Sequence, residues 1–81
     1  MLEGVGNSMI LLLQAETGTA ATLAATISAI PAVVEATVTS GPYDVIGRVD
    51  CPDPLAERHA IEAVQRAPGL ARLCLCRSVA R

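Results

Sequence analysis

The hydrophobic and polar positions of this chain alternate between two periods. Residues 8–15 hold an unbroken apolar run, Met9-Ile10-Leu11-Leu12-Leu13, bounded by polar residues. A run of that length predicts a strand covered on both faces rather than a helix. Glu16-Thr17-Gly18 then turns the chain, with Thr17 placed to cap a helix over about 19–30. Leu23, Ile27 and Ile30 recur there at helical spacing, backed by Ala20 and Ala24, while Thr22, Thr26 and Ser28 fall on the other side. Pro31 ends it. Residues 33–40 change to period two, with Val34, Ala36 and Val38 on one face and Glu35, Thr37 and Thr39 on the other. Residues 43–51 alternate likewise, setting Tyr43, Val45, Gly47, Val49 and Cys51 against Asp44, Ile46, Arg48 and Asp50. That second set is mixed, which suits a sheet surface meeting another protein surface.

Pro52-Asp53-Pro54 marks the next boundary. Asp53 is the predicted N-cap, Pro54 the first helical residue, and Glu57 an early acid that complements the helix dipole. The helix is expected over about 54–66, with Leu55, Ile61 and Val64 plus Ala56, Ala60 and Ala67 buried, and Arg58, Glu62 and Arg66 exposed. Ala67-Pro68-Gly69 breaks it. A last strand follows over 70–79, with Leu73, Leu75 and Val79 facing one way and Cys74, Cys76 and Ser78 the other.

Between the two middle strands lies Thr39-Ser40-Gly41-Pro42-Tyr43-Asp44. Gly41 accepts the positive φ of a two-residue hairpin turn without a steric penalty, and Pro42 presets the following position. The turn carries Tyr43, the only aromatic residue of the chain, beside the carboxylate of Asp44. A loop tip is a common place for a ligand or a partner subunit. The plainer alternative is that Tyr43 caps a core edge and Asp44 bonds backbone amides.

The chain has 81 residues, 52% of them hydrophobic, with no Phe and no Trp. One domain of this size hides only about 60% of the surface its unfolded chain exposes, and without large rings its core is thin. Surplus apolar surface is expected to be covered by copies of the same chain. The net charge is −2, and the cations are scattered arginines, so a duplex-binding patch is not expected. The apolar run at 9–13 is too short to span a bilayer, and Glu3 stands where a signal peptide carries positive charge. A cytoplasmic protein with no membrane contact is expected. Cys51, Cys74 and Cys76 read as reduced thiols acting as small buried hydrophobes. No residues stand at metal-ligand spacing, and neither a metal nor a cofactor is expected. His59 falls toward the polar side of its helix without a positioned partner, as a general base would need.

The offset that lays Pro31 on Pro68 also lays Ile10-Gln14 on Gly47-Cys51 and the first helix on the second. The order is therefore β-α-β repeated, βαββαβ. Right-handed crossovers give an α+β, ferredoxin-like sandwich: an antiparallel sheet with two helices on one face, of the dimeric α/β-barrel type. The face away from the helices is left open, and the apolar first strand requires a second sheet packed against it.

The pattern Ile30-Pro31-x-Val33-x-Glu35-Ala36-x-Val38-Thr39-Ser40-Gly41-Pro42-Tyr43-Asp44-Val45-Ile46, with Ala67-Pro68-Gly69-Leu70 after the second helix, resembles the effector-binding domain of the Lrp/AsnC (feast/famine) transcriptional regulators. The resemblance runs from about Ser8 to Val79. It implies a domain over 8–81 after a lead-in at 1–7, dimerisation through the sheets, assembly into rings of dimers, and an amino-acid effector held between dimers. By the same resemblance, Gly41, Tyr43 and Asp44 match the ligand-binding hairpin, and Thr39 precedes it at a position that lines the site. Full regulators carry a helix-turn-helix domain ahead of this one; only a short segment precedes the first strand here, so a stand-alone form without its own DNA binding is expected. Two other classes stay open: a module forming mixed oligomers with full-length Lrp/AsnC regulators, and a small ferredoxin-like enzyme such as a monooxygenase. The last needs a His, Tyr or Asn aimed into an apolar cavity, and catalytic residues are not expected.

Overall fold

The computed structural model describes residues 7–77. Residues 1–6 of the expected 1–7 lead-in and the positions of Ser78 and Val79 lie outside the described residues, while Asn7 opens the first strand. The elements run β1 (Asn7–Ala15), α1 (Ala20–Ser28), β2 (Val33–Val38), β3 (Val45–Cys51), α2 (Pro54–Gln65) and β4 (Leu70–Arg77). The strands form one antiparallel sheet in the order β2-β3-β1-β4. This is the ferredoxin-like βαββαβ arrangement, with the first and third strands central.

One face of the sheet carries the core. Leu11 and Leu13 of β1, Val45 and Val49 of β3, Leu23 and Ile27 of α1, and Val64 of α2 are almost completely buried together. Gly47 sits opposite Leu11 in the ladder, where a Cβ would stand 3.2 Å from the Glu35 carbonyl oxygen and 3.6 Å from Leu11 Cδ1. A side chain there would wedge β3 away from its neighbours.

The start of α2 follows the sequence closely. Asp53 accepts a hydrogen bond from the Ala56 N–H at 2.8 Å, Pro54 opens the first turn, and Glu57 lies within it. Arg77 then grips Glu57 in a two-pronged pair at 3.0 and 3.2 Å, tying β4 to α2. That bond raises the Arg77 pKa further.

Several expectations are corrected. The cap of α1 is Thr19, not Thr17, and its hydroxyl makes no cap bond. It donates instead to the Glu16 carbonyl at 2.7 Å, because Gly18, at φ 79°, reverses the chain just before the helix. In β2 the register shifts between Val33 and Glu35. This bulge buries Val33 and leaves Val34 51% exposed, the reverse of a strict alternation. Leu55 is also exposed, since it sits at the open first turn of α2. Of the thiols only Cys51 is buried; Cys74 is half-buried and Cys76 exposed on the edge strand. Burial pushes the Cys51 thiol up, and Glu57, Asp53 and Asp50 push it in the same direction. The Cys76 thiol is also raised, chiefly by desolvation and then by Cys74 beside it.

Candidate ligand and association site

The helix-free face of the sheet is built from the alternate residues of the same strands. Ile10 pairs with Arg48 and Cys76, and Leu12 with Ile46 and Cys74. β2 adds Glu35 opposite Arg48 and Thr37 opposite Ile46. No helix of the described residues covers these positions, and Ile46 remains 39% exposed. A shallow groove of about 310 Å³ runs along this face, lined by Ile10, Glu35, Thr37, Thr39, Ile46, Gly47 and Arg48. Arg48 bridges Asp50 at 3.1 Å and Glu35 at 3.8 Å. The surface is thus an apolar strip flanked by paired charges, two carboxylates about one guanidinium, which is the composition of an interface core and its rim.

At one end of this face stands the hairpin. It is longer than a two-residue turn: the Thr39 N–H donates to the Asp44 carbonyl at 2.8 Å, enclosing Ser40-Gly41-Pro42-Tyr43. Gly41 takes φ 129°, and nothing lies within 4 Å of where its Cβ would be. Glycine is therefore required there by backbone conformation, with open space beside it. The Thr39 hydroxyl donates to the Tyr43 carbonyl at 2.8 Å, bracing the loop from inside.

The loop is moored to β1 at several points. The Asp44 N–H donates to the Leu13 carbonyl at 2.8 Å, and Asp44 Oδ2 accepts from the Ala15 N–H at 2.7 Å. Gln14 Nε2 donates to the Pro42 carbonyl at 2.9 Å. The structure thus brings Thr39, Tyr43 and Asp44 to one half-buried corner with Gly41 at its exposed tip. Of the four, only Thr39 also lines the groove. Asp44 does bond a backbone amide, as the plainer reading of a turn aspartate has it, but the amide belongs to a distant strand. The sequence reading missed Gln14 and Ala15 as partners of the loop. Their only linear signal is a polar residue closing an apolar strand.

His59 lies on the opposite side of the molecule. It borders a groove of about 290 Å³ between α2 and the α1–β2 connection, lined otherwise by Ile30, Pro31, Ala32, Ala56, Ala60 and Ala63. None of these offers an acid or base to an imidazole. Among the described residues no group of three or more His, Cys, Asp or Glu is placed to hold a metal ion, and no helix is long and apolar enough to cross a membrane.

Comparison with known proteins gives the same fold and a family. The family model described as the Lrp/AsnC ligand binding domain matches residues 8–75. No curated protein sequence matches the chain. Among solved structures, TTHA0845 from Thermus thermophilus superposes with a TM-score of 0.84 at 18% identity, covering 93% of this chain and 95% of that one. AsnC of E. coli superposes at 0.83 and 18% identity over 96% of this chain and 54% of its own. The transcriptional regulator NMB0573 of Neisseria meningitidis, in its complex with L-Met, superposes at 0.79 and 15% identity over 94% and 51%. The chain spans about half the length of the latter two.

Proposed function

We propose that this chain, which belongs to the Lrp/AsnC ligand-binding domain family, is a regulatory effector-binding module that senses an amino acid in the cytoplasm through its own self-association. The observation that carries this reading is the helix-free face, where Ile10, Leu12 and Ile46 form an apolar strip that the described residues leave without a cover. A second copy packed sheet to sheet hides that strip, and the paired charges of Glu35, Arg48 and Asp50 rim the contact. The corner at Thr39, Gly41, Tyr43 and Asp44 then stands beside the interface.

The chemistry of that corner suits a small zwitterion. Asp44 offers a second carboxylate oxygen beyond the one bonded to Ala15, Tyr43 an amphipathic ring, and the loop around Gly41 exposed backbone amides. The complex of the neisserial regulator with L-Met makes amino acids the first class of probe. A ligand that binds one assembly more tightly than another shifts the population between them, so the response is a change of assembly and no turnover is required.

Sedimentation across the micromolar range, with and without a panel of L-amino acids, tests both halves. The expected result is a dimer or larger assembly whose melting temperature rises with one or a few amino acids; at about 100 times the dissociation constant the ligand adds about 2.7 kcal/mol. A monomer that responds to none of them rules the proposal out. The same face also fits a longer relative of the same fold, and co-purification of a helix-turn-helix regulator without any small molecule would favour that role.

A further inference from the structure

The corner that holds the hairpin also carries a cation from the far edge of the sheet. Gln14, whose amide reaches the Pro42 carbonyl, is the ladder partner of Arg72 on β4. Both belong to the helix-free face, because their neighbours Leu13 and Leu73 pair on the other one. Beyond this pair the register shifts, so that Ala15 faces Leu70 and Ala71 is left between. A bulge of this kind bends the strand end and re-aims the adjoining side chain.

Arg72 differs from the other arginines of the sheet. Arg48 has Glu35 and Asp50, and Arg77 has Glu57. Arg72 is exposed and has no ion-pair partner among the described residues. Its side chain stands on one side of Gln14, while the Asp44 carboxylate lies on the other, against the backbone of Ala15. Adjacent strands lie about 4.8 Å apart, so the starts of β3 and β4 flank a gap of roughly 10 Å across β1. A small zwitterion with a charge-assisted hydrogen bond of about 2.8 Å at each end bridges a gap of that order.

We propose that Arg72 and Asp44 read the two ends of an α-amino acid across Gln14. The guanidinium fork of Arg72 takes the carboxylate, the free oxygen of Asp44 takes the ammonium, and Gln14 Oε1 offers an acceptor between them. The fork matches a carboxylate in two bonds, whereas a lysine in its place would supply only a point charge. This inference rests on the amino-acid reading above and assigns the group that discriminates a free carboxylate.

The test compares the full chain with Arg72→Gln and Arg72→Lys, titrated with a panel of L-amino acids and with the C-terminal amide of whichever amino acid binds. Because Arg72 is exposed and makes no ion pair among the described residues, the ligand-free melting temperatures are expected to match. The parent chain should bind the acid at least tenfold more tightly than the amide. Arg72→Gln should lose at least tenfold for the acid and little for the amide, with Arg72→Lys in between. If Arg72→Gln keeps the full preference for the acid, the assignment of Arg72 fails and the amino-acid reading stands. If the parent chain binds no amino acid of the panel, both fail together.

Discussion

Alternate residues of β1 face opposite conditions. Met9, Leu11 and Leu13 are at most 3% exposed, covered by α1 and α2. Ile10 and Leu12, just as apolar, look out from the other side of the same strand, beside an Ile46 that is 39% exposed. Over residues 9–13 the two sides of β1 are equally apolar and differ in what covers them. On one side the cover is this chain's own helices; on the other none of the described residues supplies it. In the self-association proposed above, a copy of the same sheet would cover the strip of a small domain that lacks Phe and Trp, at the cost of association alone.

That contrast can be broken from either side. An arginine in place of Leu12 buries an unpaired charge in the association face, at a cost of about 3–5 kcal/mol. The variant is expected to sediment as a folded monomer at concentrations where the parent chain associates. Leu11→Ala, one residue away, hollows the covered face instead. Its unfolding free energy should fall by about 2–5 kcal/mol in a denaturant titration, without selective loss of association in the folded fraction.

Gly47→Ala tests how tightly the covered face is closed. The new methyl meets the Glu35 carbonyl at 3.2 Å, a backbone atom that yields only if β2 moves. A loss of about 1–3 kcal/mol is expected by chemical denaturation, and an unchanged midpoint would show that β2 gives freely. Asp53→Ala removes the cap of α2 and should cost about 1 kcal/mol, with association unaffected.

The smallest effect belongs to the buried thiol. Because the folded chain holds the Cys51 pKa above its unfolded value, the unfolded chain sheds that proton first. The contribution of this thiol is whole below about pH 8.5 and fades as the pH climbs through the folded value. Thermal melts across the alkaline range should therefore show a steeper decline for the parent chain than for Cys51→Ala.

Much of this contrast was legible in the linear chain, and the part that was not has a common cause. The element order, the cap and proline at Asp53 and Pro54, and the positive φ of Gly41 depend on near neighbours, so residue type was enough to read them. The bulge that exchanges Val33 for Val34 escaped because an inserted residue leaves no mark on a period-two pattern until the partner strand is present. Leu55 satisfied the helical spacing of α2 and still lies in solvent, since spacing alone does not say where the sheet stops. Thr17 lost the cap to Thr19 because Gly18 decides where the chain turns.

For the site the division is sharper. The sequence by itself determined that an apolar β1 needs cover on two sides, and that a glycine-bearing loop displays the one aromatic ring beside a carboxylate. Hydrophobicity and backbone freedom are properties of single residues, and they survive in a linear reading. Only the tertiary structure decided that Gln14 and Ala15 anchor the loop, that one oxygen of Asp44 is taken by a backbone amide, and that Arg72 stands across Gln14 with no ion pair among the described residues. Hydrogen bonds and ion pairs depend on distance, and strand register sets those distances between segments far apart along the chain.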